Sequence, residues 1–367
     1  MSRFYVTTTV HAPGLTHALE LVQADVLARQ QRLRGARVRF LAAPELRGTL
    51  ALSSNESMGP AEPSLRVADV SDGRFLLSRH ACAVRELVTS GRLRIEPARY
   101  RDEVLAMEMA DIPVPSVPVG YLTSLGDAHY QRWWANNENR VHVIGAESLR
   151  QHAVHWPAML MSAGMPVPTH IYVHSPHPGT ADPRDLVDQY GDDAVRWWLL
   201  RSNGPKYTPS QAHKELTKGL GTLVERVTVM VHRYRHGRPP TAIQTDDLRA
   251  DRESAAARID DALAAADFRR ATTAVWNIVT AANLYLVHSR PWDLAQAEQS
   301  GNSSATHGLD TVLTALLATC RSLANQLTPF MPTAAQRIAD QCFGLSGDLP
   351  QPRALFPRPA AGLTAGH

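Results

Sequence analysis

The fold of this chain is decided by FYVTTTVHAPGLTHALELVQADVLARQQRLRGARVRFL, residues 4–41. Its first seven residues are β-branched or aromatic, which is typical of a buried parallel strand. A Pro-Gly turn follows, and apolar side chains then recur at helical spacing between Leu19 and Leu33. A glycine ends this helix, and residues 36–43 predict a second strand. A strand, a helix and a strand in this order predict a βαβ unit and a doubly wound α/β sheet of the Rossmann type.

Downstream, the pattern continues the sheet and then becomes helical. VHVIG (141–145) and HIYVHS (170–175) predict further strands, and residues 51–75, rich in Ser, Gly, Pro and Asp, predict a loop or a shortened insertion. Beyond residue 210 only helices are expected. One helix face is traced by Ile259, Leu263, Ala266, Arg270 and Ala274, and another by Leu309, Leu313, Leu316, Cys320, Leu323 and Leu327.

The domain organisation follows from this pattern. A chain of 367 residues is long enough for two or three domains. We expect a Rossmann-like catalytic-type domain at 1–205, with a shrunken insertion at about 51–110. An all-α bundle follows at 206–345, with a linker at 236–248 between two of its helices, and a C-terminal tail at 346–367.

Composition excludes several classes of protein. No apolar run approaches the roughly 20 residues of a membrane span, and the N-terminus lacks a signal-peptide pattern, so we expect a cytoplasmic location. The three cysteines are far apart and fit a reduced compartment, so no zinc is expected. The net charge of +3 permits binding of nucleic acid without predicting it. Neither DNA nor a membrane is an expected partner.

Several segments in collinear order carry a resemblance to one family. VHVIGAESLRQHAVHWPAML (141–160), together with residues 4–41, resembles the catalytic domain of methionyl-tRNA synthetases, which are class I synthetases. DPRDLVDQYGDDAVRWWLLR (182–201) is similar to the helical segment after their second ATP-binding loop. Three further segments resemble their anticodon-binding bundle: 223–237, 267–295 and 328–338. The stretch LFPRP resembles their closing segment.

The first ATP-binding signature of the family is altered here. The family's HIGH sequence lies at the start of the first helix, where a helix N-terminus and small residues let phosphates approach. The corresponding stretch here is GLTH, so Gly14 replaces the first histidine, Thr16 replaces the glycine and His17 is kept. The resemblance makes Gly14, Thr16 and His17 a degenerate nucleotide site and His17 a catalytic candidate. The alternative for His17 is a helix-capping residue.

The second signature, the lysine loop KMSKS, is missing. The segment from His170 to Pro183 contains no lysine, so the charges that stabilise pyrophosphate are absent. His174 and His177 remain as candidate cationic substitutes, or as parts of a shortened surface turn. Whether ATP still binds is left open, and no other cofactor is expected.

The resemblance also names an amino-acid pocket. The family's WFDAPIGY-like strand is IPVPSVPVGY (112–121) here, which keeps Pro118, Gly120 and Tyr121. The aromatic and the acid are gone: either Val114 and Ser116 replace them, or that stretch is deleted. The GTDEHG-like segment is APELRG (43–48), and the GKD turn is GAE, with Glu147 as the second catalytic candidate. His152 matches a histidine near the methionine pocket; its alternative is a hydrogen-bonded core histidine.

The resemblance places Arg226 and Trp292 at positions that the family uses to bind the tRNA anticodon. It implies that Arg226 contacts base edges or phosphate and that the indole of Trp292 stacks on a base. The asparagine that the family has four residues before Arg226 is Thr222 here. Trp292 follows a proline at a helix end, and its alternative role is packing.

These losses and retentions predict a synthetase-like protein with an eroded ATP and methionine site, repurposed as an aminoacyl-tRNA- or amino-acid-dependent transferase or ligase of specialised metabolism. Its expected partners are tRNA or aminoacyl-tRNA and an amino acid. A non-catalytic pseudoenzyme that binds tRNA or a partner is one alternative. The others are a divergent methionine–tRNA ligase and an ATP-dependent amino-acid ligase resembling hydrazine synthetases.

Overall fold

The structure is a computed structural model that describes most of the chain in separate ranges. These ranges are 2–9, 14–42, 56–57, 68–113, 122, 125, 129–202, 206–241, 246–343 and 347–356. They fall into two compact units, Met1–Asp182 and Pro183–His367. The sequence analysis places the end of the first domain later, at residue 205.

The predicted βαβ unit opens the first compact unit. Strand β1 (Arg3–Thr8) is followed by helix α1 (Leu15–Leu33) and strand β2 (Arg37–Ala42). β1 and β2 are parallel, with Val6 opposite Phe40. Gly35, between α1 and β2, has a φ of 81°, a conformation that glycine adopts without steric cost.

The main sheet has the topology of a doubly wound fold. Its order is β3-β2-β1-β8-β9-β6, and every pairing in it is parallel. From β1, the chain reaches β2 on one side, and β8 pairs on the other side. The topological switch point therefore lies between β1 and β8, and ligands of such sheets bind beside the carboxyl ends of these strands. The remaining strands are β3 (Glu56–Ser57), β6 (Arg94–Glu96), β8 (Arg140–Gly145) and β9 (His170–His174).

The strand Arg94–Glu96 is an element that the sequence analysis did not predict. It is only three residues long and extends the sheet beside β9. A segment this short carries no periodicity that distinguishes a strand from a loop. The insertion also holds a small antiparallel sheet and short helices: β4 (Val70–Ser71), β5 (Arg74–Phe75), β7 (Ile112–Pro113), a 3₁₀ turn at Leu77–His80, α2 (Ala81–Thr89) and α3 (Ala98–Ala106).

One face of the main sheet is covered by a tryptophan-rich core. Trp134 and Trp156 are fully buried and meet edge to face, with ring centroids 6.4 Å apart. Tyr5 of β1 packs against Trp134 with a centroid distance of 6.0 Å. The elements of this region are π-helical turns at Gln131–Ala135 and Gln151–His155, a 3₁₀ turn at Ala146–Ser148 and α4 (Trp156–Ser162).

The second compact unit is helical, as predicted. Its longest described helix, Ser303–Leu327, buries the face that runs from Leu309 to Leu327. Its elements are α5 (Pro183–Tyr190), α6 (Asp192–Arg201), α7 (Pro209–Leu216), a π-helical turn (Thr217–Gly221), α8 (Thr222–Arg235), α9 (Arg249–Ala264), α10 (Phe268–Ser289), α11 (Pro291–Gln299), α12 (Ser303–Leu327) and α13 (Pro332–Phe343).

One predicted helix face is wrong. The pattern from Ile259 to Ala274 predicts one continuous helix, but α9 ends at Ala264 and α10 begins at Phe268. Ala266 has a φ of 55°, and the side chain of Asp267 accepts a hydrogen bond from the Arg270 N–H at 2.8 Å. An N-cap of this kind starts a new helix even where the apolar period continues.

Helix α6 contributes buried charges that hold the ends of its neighbours. Asp193 accepts a hydrogen bond from the Ala334 N–H at 2.6 Å in the first turn of α13. The guanidinium of Arg196, fully buried, donates to the carbonyl oxygens of Pro329 and Phe330 at 3.0 and 2.8 Å. These contacts explain why residues 183–201 belong to the helical unit. Within the described ranges, no helix is long and apolar enough to cross a membrane.

Candidate functional site

The GLTH segment forms the first turn of α1. Leu15 and His17 are buried, and Thr16 is half-buried. The Thr16 hydroxyl oxygen accepts a hydrogen bond from the backbone N–H of His177 at 3.0 Å. Thr16 of the GLTH segment therefore binds the turn that follows β9.

His17 is only 1 % exposed, so its ring faces the protein interior and not solvent. It lies in the first turn of α1, where the sequence analysis expects either a phosphate contact or a helix cap. Its position does not distinguish between these two roles, and the catalytic role of His17 stays a prediction.

The turn after β9 packs closely on the start of α1. A Cβ on Gly179 would lie 2.7 Å from the Cδ1 of Leu15, so glycine permits this approach. Burial lowers the pKa of His177 from its ordinary value, which makes its ring neutral at pH 7. His177 is therefore not a cationic replacement for the missing lysines.

A buried carboxylate lies at the carboxyl edge of the sheet. Glu20 of α1 is 0 % exposed. Its carboxylate accepts hydrogen bonds from the Thr9 N–H at 2.5 Å and from the Thr9 hydroxyl at 2.6 Å. It also accepts one from the Gly145 N–H at 3.1 Å. Glu20 thus joins the residue after β1 to the last residue of β8, the two strands that flank the switch point.

His174 completes this cluster from β9. Its Nε2 lies 3.3 Å from Glu20 Oε2, and its Nδ1 lies 3.1 Å from the carbonyl oxygen of Ser175. Both ring nitrogens of His174 therefore face oxygen acceptors. The Glu20 cluster, defined as Thr9, Glu20, Gly145 and His174, spans the carboxyl ends of three neighbouring strands.

Glu147 lies on the other side of Gly145. The position that a Cβ on Gly145 would occupy is 2.1 Å from Glu147 Oε1, so the Glu147 side chain folds over the glycine. Glu147 is exposed and borders an open groove of about 510 Å³. Charged and apolar side chains share its wall: Glu103, Ala106, Met107, Ala146, Glu147, Leu149 and Arg150.

His152 lies under the sheet in the π-helical turn that precedes α4. It is 2 % exposed, and its Nδ1–H donates to the carbonyl oxygen of Ser148 at 3.0 Å. Its ring meets that of His142 at a centroid distance of 5.7 Å. His142 Nδ1 lies 2.6 Å from the Thr7 hydroxyl, and burial, with a smaller effect of His152, holds the pKa of His142 well below its usual range. His142 and His152 are thus each hydrogen-bonded to another residue, and their rings pack against one another within the aromatic core.

The other pocket candidates lie outside the described residues. They are Ser116 and Tyr121, together with the segment APELRG (43–48). Their assignment to an amino-acid pocket stays a prediction.

The two tRNA candidates are both on the surface of the helical unit. Arg226 is exposed on α8, and Trp292 is 45 % exposed at the start of α11. Arg233, two turns after Arg226 on the same helix face, is also exposed. An indole this exposed is available for stacking, whereas a packing role would bury it.

Other basic residues near these positions are used inside the unit. Arg235 donates to Glu298 at 3.0 Å and to Asp310 at 2.5 Å, which links α8 to α11 and α12. Arg201 pairs with Glu215 at 3.5 Å and lies over the ring of Trp197. These two arginines stabilise the bundle, in contrast to Arg226 and Arg233.

Cysteines and acidic groups give no sign of a metal centre in the described part of the chain. The three cysteines are free, with Cys82 exposed and Cys320 and Cys342 buried. No three His, Cys, Asp or Glu side chains in that part lie close enough to hold a metal ion together.

Sequence reasoning missed the Glu20 cluster. The one available signal was a carboxylate between Leu19 and Leu21, within the helix segment that follows the degenerate signature. Periodicity assigns such a residue to a solvent-facing position, and only the packing of α1 on the strand ends brings it to Thr9 and Gly145.

Comparison with known proteins finds a family model that matches part of the chain and several relatives. Residues 116–234 match the family model of tRNA synthetases class I (M). The methionine–tRNA ligase of Caldanaerobacter subterraneus is 30% identical over 259 residues, which covers 62% of this chain and 39% of the relative. That of Synechocystis sp. is 28% identical over 335 residues, covering 76% of this chain and 61% of the relative. The chain thus spans less than two thirds of the length of these relatives.

Solved structures share the fold over almost the whole chain. Mycobacterium tuberculosis methionyl-tRNA synthetase in complex with methionyl-adenylate superposes with a TM-score of 0.82 at 21% identity. The match covers 98% of this chain and 100% of that chain. The apo form of the same enzyme gives a TM-score of 0.78. At this identity the likeness shows the fold: a Rossmann-like sheet followed by a helical unit.

Proposed function

We propose that this methionyl-tRNA-synthetase-like protein, which carries a class I tRNA synthetase (M) domain, is a transferase that uses an amino acid already activated on tRNA. In this proposal it does not make an aminoacyl-adenylate from ATP. The acceptor belongs to specialised metabolism, and the helical unit holds the tRNA.

The observation that carries the proposal is the Glu20 cluster. The backbone N–H groups of Thr9 and Gly145 are donors suited to an anion at the switch point, and both are already bound to the Glu20 carboxylate. A nucleoside triphosphate placed there would meet a carboxylate instead of free donors. A phosphate group at this position and the carboxylate would repel each other, because they carry charges of the same sign.

The replaced lysine loop supports the same conclusion. Residues 175–182 contain no lysine, and the pKa of His177 is lowered by burial. Phosphoryl displacement depends on such cations to stabilise the charge of the leaving pyrophosphate. The lysine-free turn thus supports a reaction in which no step passes through ATP.

An aminoacyl ester on tRNA removes the need for ATP, because the ester is already an activated acyl group. The chain would have to hold the tRNA and to bring an acceptor nucleophile to the ester. Exposed Arg226 and Trp292 support the first task. The groove beside Glu147, with carboxylates, a guanidinium and apolar side chains, supports the second, with Glu147 as the candidate base.

The first experiment measures activation. Exchange of labelled pyrophosphate into ATP is assayed with the full chain, magnesium and each of the standard amino acids. We expect no amino-acid-dependent exchange. A robust methionine-dependent signal would instead support a divergent methionine–tRNA ligase, and exchange with another amino acid would support an ATP-dependent amino-acid ligase.

The second experiment separates the transferase from a binding protein. Gel shifts compare aminoacylated tRNA with the same tRNA after mild deacylation. A transferase is expected to prefer the charged form. Equal affinity for both forms would favour a non-catalytic tRNA-binding pseudoenzyme. The burial of His17 and His152, two candidate site residues, would be consistent with that result.

A further inference from the structure

We infer that Arg99, Tyr100 and Ser175, here called the Arg99 cluster, form a subsite that binds a phosphate group of the substrate. This inference rests on the proposed function and deepens it, because an aminoacylated tRNA carries phosphates beside its reacting ester. Two sources share this chemistry: the 3′-terminal phosphodiester of the tRNA and a phosphate group on the acceptor. The experiment below distinguishes them.

The Arg99 cluster joins the start of α3 to the end of β9. Nη2 of Arg99 donates to the Ser175 hydroxyl at 2.9 Å and to the Tyr100 hydroxyl at 3.1 Å. The two hydroxyl oxygens are themselves 3.1 Å apart. Ser175 directly follows β9, so the three groups meet at the carboxyl edge of the parallel sheet. Open α/β sheets bind their ligands beside this edge.

The guanidinium of Arg99 is held in place by a buried ring. Its Cζ lies 4.7 Å from the centroid of the Tyr100 ring, within the range of a cation–π contact. Tyr100 is only 7 % exposed, so its position is set by the packing of α3. A cation that is already fixed loses less conformational entropy when it binds a ligand.

The charge of Arg99 is not neutralised by the contacts that fix it, because both of its hydrogen-bond partners are neutral hydroxyls. Among the residues that the structure describes, no carboxylate pairs with Arg99, and its Nε and Nη1 groups have no protein acceptor. Neighbouring arginines differ: Arg101 pairs with Asp102 at 2.9 Å, and Arg79 with Asp69 at 3.2 Å. A fixed guanidinium with free donors is suited to phosphate.

Helix α3 also connects the Arg99 cluster to the groove beside Glu147. Glu103 and Ala106 of this helix line the groove. Arg99 precedes Glu103 by four residues, so the two lie on one helix face, about 6 Å apart along its axis. A phosphate bound at Arg99 would therefore bring the adjoining part of the substrate to the groove that the proposed function assigns to the acceptor reaction.

The test measures RNA binding by the full-length protein and by variants of the Arg99 cluster. The probe is a hairpin with the acceptor stem and single-stranded 3′ end of a tRNA, in filter binding across a salt series. We expect Arg99→Ala to weaken binding about tenfold and to reduce the slope of log affinity against log salt by about 0.7. Ser175→Ala should give a smaller loss, about threefold. A hairpin without its last two nucleotides should bind both proteins equally.

A matched control lies two residues further along α3. Arg101 is exposed like Arg99, but its guanidinium already pairs with Asp102. Arg101→Ala removes the same charge from the same helix without touching the cluster, so its affinity for the hairpin should change less than about twofold. An equal loss in Arg101→Ala and Arg99→Ala would show an effect of net charge only and would overturn the inference.

Inorganic phosphate separates the two sources. It is titrated into the unchanged protein and into Arg99→Ala by isothermal titration calorimetry. Loss of phosphate binding in Arg99→Ala, with an unchanged affinity for the hairpin, would assign the subsite to a phosphate on the acceptor. Loss of hairpin affinity would assign it to the tRNA. Unchanged affinities for both probes would overturn the inference.

The outcomes also separate this inference from the proposed function. Amino-acid-dependent pyrophosphate exchange by the unchanged protein would contradict the transferase proposal, whatever the Arg99 variant binds. Absence of exchange, together with unchanged affinities of Arg99→Ala for hairpin and phosphate, would leave that proposal standing and reject the Arg99 cluster alone.

Discussion

Asp193 shows how strongly burial changes the acidity of one side chain in the helical unit. It is 4 % exposed and faces Asp192, and burial, followed by this neighbouring charge, raises its pKa to about 7. An ordinary aspartate has lost its proton well below this pH. Between about pH 4 and pH 7, the folded state therefore holds a proton that the unfolded chain has released.

The first prediction concerns the pH dependence of stability. The contribution of Asp193 to the free energy of unfolding is fully present below about pH 4 and is lost as pH rises through 7, by up to about 1.4 kcal/mol per pH unit. Asp193→Asn keeps an acceptor for the Ala334 N–H and should flatten this slope. Urea unfolding at several pH values measures it. The exposed Asp340→Asn serves as control, and an unchanged slope in Asp193→Asn would contradict the assignment.

Arg226 and Trp292 are single residues on which the tRNA assignment depends. Their exposure distinguishes them from Arg201 and Arg235, which form ion pairs within the bundle. Exposure is necessary for an RNA contact but does not by itself establish one, so each side chain is tested directly.

The second prediction is that Trp292→Ala weakens tRNA binding by roughly 1–3 kcal/mol, the usual worth of one stacked base. Arg226→Ala should reduce the slope of log affinity against log salt by about 1 if it contacts a phosphate. Filter binding across a salt series measures both effects. Arg249→Ala, an exposed arginine paired with Glu253, is the matched control. Affinities equal to those of the unchanged protein would show that the bundle is only structural.

Among the elements, the break between α9 and α10 illustrates how local geometry overrides periodicity. The helical spacing seen in the sequence runs from Ile259 to Ala274, yet Ala266 adopts a φ of 55° and Asp267 caps the next helix. A side chain in this left-handed region costs about 1–2 kcal/mol relative to glycine. The cap and the packing of α10 on α9 offset that cost.

The third prediction uses this break. Ala266→Gly should stabilise the protein by about 1 kcal/mol, because glycine adopts positive φ without strain. Asp267→Ala should destabilise it by about 1 kcal/mol through loss of the cap. Denaturant unfolding measures both changes. The control is Ala257→Gly, at an exposed helical position of α9, which is expected to lower the stability by about 1 kcal/mol. A similar loss of stability in Ala266→Gly would contradict the left-handed conformation of Ala266.

The strands differ in how much of them the sequence predicts. β1, β2, β8 and β9 follow from their β-branched runs, because a strand buried on both faces needs apolar residues along its length. The edge strand Arg94–Glu96 has no such run. Its place in the sheet comes from pairing with His170–Tyr172, a contact between distant parts of the chain.

At the scale of the whole molecule, the chain divides into two units, each with its own core. In the second unit, the buried charges of α6 satisfy backbone groups of the last helices, and Trp197 packs on Trp276 with ring centroids 5.8 Å apart. One carboxylate oxygen of Asp193 and the guanidinium of Arg196 thus find backbone partners within residues 183–367.

The fourth prediction follows from this self-sufficiency. A fragment of residues 183–367 should fold on its own, with a helical circular dichroism spectrum and a cooperative thermal transition. It should also retain the pH slope assigned to Asp193. A fragment without a cooperative transition would show that its helices depend on the first unit.

The sequence by itself determined the fold class of this protein. A buried strand, an amphipathic helix and another buried strand can bury their apolar surfaces only as a layered α/β sheet, and the later helical periodicity requires a bundle. The sequence also shows directly that residues 14–17 are GLTH and that the turn at 175–182 contains no lysine.

Only the tertiary structure decided which groups meet at the carboxyl edge of the sheet. Thr9, Glu20, Gly145 and His174 come from four separate segments, and no local pattern predicts that they meet. They meet because parallel strands end at the same edge of the sheet and α1 packs across it, which brings a carboxylate from its buried face to the backbone donors. The sequence names the groups, and the distances between them depend on how the whole sheet assembles.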